Sequence, residues 1–187
     1  MRSVPTGLIG AICVVVSLCS VRASGQAPPA TVKPAAKQPA NLAEARKALA
    51  GKWSLVSLTV QAADGRSAVV EATGFLTADF SDMTVQFNIS PKGMQALSGI
   101  GVTSPNPVIS TTGRVLIDTA SRQISYVGAD FQKKLMDFDK DLAAKRANPF
   151  ALERIRTYVF LEDGNLRLAT QHDNGKDASI SVWKKAA

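Results

Sequence analysis

The chain has 187 residues, enough for one domain with accessory segments, and its 45% hydrophobic and 20% charged residues exclude a chain disordered throughout. The formal charge is +7, yet residues 1–53 hold seven Lys/Arg against Glu44 alone, while residues 54–187 hold 15 Lys/Arg against 14 Asp/Glu. The folded part is therefore nearly neutral and shows no basic face interleaved with aromatics, so nucleic acid is not expected as a partner.

Residues 1–23 have the three parts of a secretory signal: Arg2, an apolar run from Leu8 to Val21, and small residues around Val21-Arg22-Ala23. The run is too short and too singly flanked for a permanent membrane span, so the mature protein is expected without one, in the periplasm or secreted. Both cysteines, Cys13 and Cys19, lie inside this segment. Cleavage would leave no disulfide, thiolate ligand or cysteine nucleophile. Residues 24–40 are Pro/Ala-rich with almost no large apolar side chain, which reads as a tether. The domain is then residues 41–187.

Asn41 with Glu44 three residues on predicts the start of a short helix, with Leu42, Ala45 and Leu49 on one face and Gly51 as its stop. A first strand is expected over 52–61, ended by the turn signal Ala63-Asp64-Gly65. Strands follow over 74–80 and 83–89, and a two-residue turn at Ser81-Asp82 would pair Ala78 with Val85 and Leu76 with Phe87. Residues 90–107, with Pro91, Pro105 and Pro107, read as a long loop, unusually apolar at Met94, Leu97, Ile100 and Val102. Strands over 108–118 and 123–128 pair Ile117 with Ile124 and Val115 with Tyr126.

Asp130 opens a second, amphipathic helix over 131–147, with Phe131, Leu135, Phe138 and Leu142 as its apolar stripe. Three strands complete the chain, over 153–162, 166–171 and 178–184. Asp163-Gly164 as a two-residue turn pairs Leu161 with Leu166, Val159 with Leu168 and Thr157 with Thr170. Arg156, Tyr158, Phe160 and Arg167 would then share the outer face. The Asp173-Asn174-Gly175-Lys176 turn would continue Leu166 and Leu168 onto Ile180 and Val182.

Eight strands joined as local hairpins with alternating faces predict an all-β fold: an eight-stranded up-and-down antiparallel barrel, because closure removes the sheet edges. A short helix precedes it, and the amphipathic helix lies between its fifth and sixth strands. The stretch Leu49-Ala50-Gly51-Lys52-Trp53-Ser54-Leu55-Val56-Ser57 resembles the opening signature of the bacterial lipocalin-like domain family, where Gly-x-Trp begins the first strand. Asp64-Gly65, Gly74-Phe75-Leu76, Arg156-Thr157-Tyr158 before Asp163-Gly164-Asn165-Leu166-Arg167-Leu168, and the ending Val182-Trp183-Lys184-Lys185 are similar in the same order. Lysines stand beside Trp183 where that family usually carries arginine. The resemblance covers residues 47–185 and implies a calyx, with one end stoppered by Trp53 and the 42–49 helix and one open mouth.

Chemistry-bearing motifs are few. His172 is the one histidine, so a zinc or copper site is not expected, and no phosphate loop or nucleophile elbow appears. No cofactor and no metal ligand is assigned, and no residue is singled out as catalytic. The predicted interior is apolar, with Met83 and Phe87 among its lining and Tyr126, Thr157 and Thr170 as its polar groups. These five are the candidate ligand-binding residues for a small hydrophobic or amphipathic molecule, although the same residues suit a barrel filled by its own side chains. An isomerase or cyclase using Tyr126 with Asp79 or Glu153, and an envelope interaction module acting through the outer face, are the alternatives.

Overall fold

The computed structural model describes residues 37–79, 81–104, 106–127, 150, 155–172 and 174–186. The signal segment, most of the tether, the 131–147 helix and Glu153 lie outside the described residues. The elements are α1 (Leu42–Leu49), β1 (Gly51–Gln61), β2 (Ser67–Val69), β3 (Ala72–Ala78), β4 (Asp82–Ile89), α2 (Pro91–Gly99), β5 (Val108–Asp118), β6 (Gln123–Val127), β7 (Arg156–Phe160), β8 (Leu166–Gln171) and β9 (Asp177–Lys185).

The fold is an all-β closed barrel. Eight antiparallel strands run in the order β1-β3-β4-β5-β6-β7-β8-β9, and β9 pairs back onto β1. β2 is an extension of the same wall: it pairs with Thr59–Gln61 of β1, whereas β3 pairs with Gly51–Ser54. The two are one strand broken at Val70-Glu71, where the Val70 N–H still donates to Leu58 O at 2.8 Å and Val70 is buried. β1 solves a patterning problem of its own. Its inward apolar residues change parity, from Trp53 and Leu55 to Leu58 and Val60, and a bulge between Leu55 and Ser57 absorbs the extra residue.

Two helices serve the two ends. The Asn41 side chain accepts from Glu44 N at 2.9 Å, and Ala45 and Leu49 bury one face of α1 at the end where β1 begins. The Trp53 indole N–H then donates to Leu49 O at 2.9 Å, so the residue that plugs this end also satisfies a carbonyl of the helix that covers it. α2 replaces the loop expected over 90–107. Ser90 caps it through Gly93 N, Pro91 occupies its first turn, and Leu97 is fully buried with Met94 packed beside it. The apolar spacing at 94 and 97 is that of a helix.

Register separates expectation from structure. The β5–β6 hairpin pairs Val115 with Tyr126 and Ile117 with Ile124, as the sequence predicts. The β3–β4 hairpin is displaced by two residues, with Ala78 opposite Met83 and Leu76 opposite Val85. The Asp79 N–H donates to Asp82 O and its carboxylate accepts from Ser81 N and Asp82 N, so the turn closes between Asp79 and Asp82, one residue earlier than a turn at Ser81-Asp82. An even displacement keeps the same residues inside.

The β7–β8 hairpin is displaced by one residue, which exchanges the faces of β7. Leu161 N donates to Asn165 O and Gly164 N to Leu161 O, with Gly164 at φ 79°. This is a three-residue loop closed by a left-handed glycine, rather than a two-residue Asp-Gly turn. The same bonding joins Ala62 to Arg66 around Gly65 and His172 to Lys176 around Gly175. Tyr158 therefore faces Leu168 and Arg156 faces Thr170, while Val159 and Thr157 lie on the outer side. The expected outer patch does not form: Arg156 and Tyr158 are buried, Phe160 packs against the core, and of the four only Arg167 stays outside, where it bonds Asp177 at 2.7 Å. On β9, Ser179, Ser181 and Trp183 are the inward residues in place of Ile180 and Val182.

Aromatic rings fill the barrel along its length. Trp53, Phe160 and Tyr158 stack in sequence near α1, with centroids 6.3 and 6.2 Å apart. Trp183, Phe87 and Phe150 continue toward the other end, 5.4 and 5.8 Å apart. No helix among the described residues is long and apolar enough to cross a membrane.

Candidate functional site

The space that these rings leave lies in the half of the barrel away from α1. β4 and β5 alternate strictly, so Val85 and Phe87 project inward beside Ile109 and Thr111. β8 contributes Leu168 and Thr170, β9 contributes Ser179 and Ser181, and β7 contributes Arg156. Together with Phe150, which belongs to the connection between β6 and β7, they line a cavity of about 30 Å³.

The cavity has two unlike walls. Val85, Phe87, Ile109 and Phe150 make an apolar side. Opposite them runs a row of hydroxyls. Thr170 Oγ1 and Ser179 Oγ lie 2.7 Å apart, the Trp183 indole N–H donates to Ser181 Oγ at 2.8 Å, and Ser181 Oγ donates to Leu168 O at 3.4 Å. The row exists because the loop around Gly175 sets Ser179 opposite Thr170 and Ser181 opposite Leu168, which turns the serines of β9 inward. Every one of these side chains is buried and bonded, as burial of a hydroxyl requires.

Arg156 forms the charged corner. Its guanidinium carbon stands 4.8 Å from the centroid of the Tyr126 ring. Burial pushes the Tyr126 phenol up to about 12, against the opposing pull of the Arg156 charge. Its hydroxyl is buried and has no hydrogen-bond partner among the described residues, and the same is true of Tyr158. Burial also raises Tyr158, with Arg122 lowering it and Asp118 raising it by smaller amounts. Both phenols thus stay neutral donors at physiological pH.

Of the five residues picked from sequence, Phe87 and Thr170 line the cavity. Tyr126 lies beneath Arg156 at its edge, and Met83 is buried two residues further from the cavity than Val85 on β4. Thr157 is on the opposite face of β7, half-buried, with its hydroxyl 3.4 Å from Ala169 O. Sequence reasoning missed Arg156, because it takes Asp163-Gly164 as a two-residue turn, and Ser179 and Ser181, because it places Ile180 and Val182 inward after the 173–176 turn. The signal was present in the chain: the x-Asp/Asn-Gly pattern recurs at Ala63-Asp64-Gly65 and Asp173-Asn174-Gly175, and three-residue loops use it as readily as two-residue turns.

Of the two acids offered as partners of Tyr126, Glu153 lies outside the described residues and Asp79 is elsewhere. Asp79 is fully exposed at the α1 end, and its two backbone N–H bonds, from Asp82 first and then Ser81, hold its carboxyl below the usual range. It serves a turn and does not converge with Tyr126. Among the described residues no group of three or more His, Cys, Asp or Glu is placed to hold a metal. Comparison with family models, with curated proteins and with solved structures finds no match to this chain.

Proposed function

We propose that the chain is an exported, non-catalytic barrel of the lipocalin-like group that takes a small amphipathic ligand at the end remote from α1. The observation that supports this reading is the two-walled cavity, apolar at Val85, Phe87 and Ile109 and hydroxyl-lined at Thr170, Ser179 and Ser181. Such a pairing of one apolar wall with a few polar groups is what orients a small amphipath. Export rests on the three-part character of residues 1–23. A volume of about 30 Å³ holds one or two waters, an order of magnitude less than the roughly 300 Å³ of a small ligand pocket. A ligand therefore enters by displacing Phe150, which stands on no barrel strand and lays its ring against Phe87.

The same small volume favours a second reading, a filled barrel acting as an interaction module of the envelope. One titration separates the two. A hydrophobic fluorescent probe is added to wild type and to Phe150→Ala while the emission of Trp183, 5.4 Å from Phe87, is followed. Ligand binding predicts saturable quenching in wild type and tighter binding in Phe150→Ala. No saturable signal in either protein, with no co-purified small molecule by native mass spectrometry, leaves the filled barrel.

A further inference from the structure

We propose that the stoppered end of the barrel docks on an anionic membrane surface, through α1, the start of β1 and the end of β9. The face is assembled only by folding. Lys184 lies opposite Ser54 on β1, and Lys52 is two residues along the same outer face, a diagonal neighbour within reach of a long side chain. Lys185 reaches under the barrel: its Nζ donates to Ala48 O at 3.4 Å and stands 5.2 Å from the Trp53 ring centroid. That bond draws the chain end against the last turn of α1, which carries Arg46 and Lys47. Five cations from three separate stretches thus share one end of the molecule.

Three of the five, Lys47, Lys52 and Lys184, are exposed and form no ion pair among the described residues. The loops after β5 and β7 bring the acids Asp118, Glu162 and Asp163 to other sides of the same end. Glu44, the acid on α1, is turned back onto Ala40 N and the Asn41 side chain. Asp79 and Asp82 line the groove beside Lys52 and bound the patch on that side. The face also carries an exposed aliphatic group, Leu42, one turn before Arg46 on α1. Phe75, exposed on β3 opposite Ser54, adds one ring, and cations with a leucine and a phenylalanine match lipid headgroups over an acyl boundary, whereas a nucleic acid would use several stacking rings interleaved with the cations.

The chain enters the domain at the same end. The Gln38 side-chain amide donates to Phe160 O at 2.7 Å and accepts from Phe160 N at 3.0 Å, taking the place of a neighbouring strand at the lower end of β7. Lys37, next to Gln38 and exposed, therefore joins the barrel beside the patch. Docking in this orientation turns the cavity end away from the surface. The proposal stands on charge placement alone and is independent of whether the cavity takes a ligand.

The test is co-sedimentation of the full chain with phosphatidylcholine vesicles, with and without phosphatidylglycerol. The apolar run of residues 8–21 contributes to both, so the readout is the ratio of anionic to neutral partition. K47E/K184E is compared with K92E/K176E, which changes net charge equally through exposed lysines on α2 and in the β8–β9 loop. Wild type is expected to prefer anionic vesicles and to lose the preference at about 0.5 M salt. K47E/K184E should lower the ratio by about tenfold or more, and K92E/K176E by about twofold or less. Circular dichroism and the melting temperature confirm that both variants fold. No anionic preference in wild type, an equal loss in the two variants, or binding to duplex DNA in place of vesicles overturns the proposal.

Discussion

At the scale of single residues, the interior of this barrel is decided by where polar groups find partners. Ser179 and Ser181 can face inward because Thr170, Trp183 and Leu168 O receive them. Tyr126 has no such partner among the described residues, and its pH behaviour follows. Its phenol is pushed up to about 12 in the folded protein, above the ordinary 10. The raised value means that the unfolded chain releases this proton first, so the stabilisation is complete below pH 10 and is lost as pH rises from 10 through 12. The loss is on the order of 2 kcal/mol. Urea unfolding across that range should show wild type weakening more steeply than Tyr126→Phe. An identical pH dependence in the two proteins would mean that the phenol is not held neutral by burial. Trp53 shows the opposite economy, since one indole N–H both caps α1 and fixes the ring that closes the barrel.

At the scale of elements, glycines and loop lengths carry the design. Gly93 in α2 lies so close to β3 that a Cβ would collide with the backbone O of Glu71 and with the Ile89 side chain. Backbone cannot step aside as a flexible side chain can. Gly93→Ala is expected to destabilise by about 2 kcal/mol through overpacking and to loosen α2 before the rest. Hydrogen exchange at Leu97 and Ile100 would detect it, and unchanged protection there would show that α2 approaches less closely. The loop around Gly164 sets the face of β7. Deleting Leu161 while the three-residue loop is kept would pair Phe160 with Asn165 and slip β7 by one, sending Arg156 and Tyr158 outward. Because Tyr158 is fully buried in the aromatic column, the deletion should abolish cooperative unfolding. A variant that melts sharply near the wild-type temperature would contradict this account of the register.

Strand positions were legible in the sequence wherever alternation was long and the turn was unambiguous. The β5–β6 register follows from Val115, Ile117, Ile124 and Tyr126 alone. α2 was hidden because Pro91 and two glycines read as loop, although proline suits a first helical turn and Gly93 is demanded by close packing. The face of β9 was hidden because binary pattern favours Ile180 and Val182. Loop length overrides it: Trp183 turns inward and packs on Phe87, and Ile180 and Val182 stay half-buried on the outer side.

At the scale of the whole molecule, closure is the decisive event. β1 meets β9 along seven register pairs with one bulge, and no other contact joins the first and last strands so extensively. Removing residues 181–187 would delete Trp183 and open the seam between β1 and β8. The truncated chain is expected to lose its near-ultraviolet circular dichroism and to self-associate through the exposed edges. A monomer with native near-ultraviolet signal would show that the barrel holds without its last strand.

The order of residues alone specifies an all-β chain of eight hairpin-joined strands that must close, with a short capped helix before the first of them. These follow from local periodicity, capping and turn chemistry, which act over a few residues. Only the tertiary structure decided which face of β7 and β9 turns inward, and hence that Arg156 and a row of hydroxyls, rather than Thr157 and Val182, border the cavity. The reason is that side-chain direction in a strand has a period of two. One residue in a loop, set by the left-handed glycine at 164 or 175, reverses an entire strand, and no local pattern reports it.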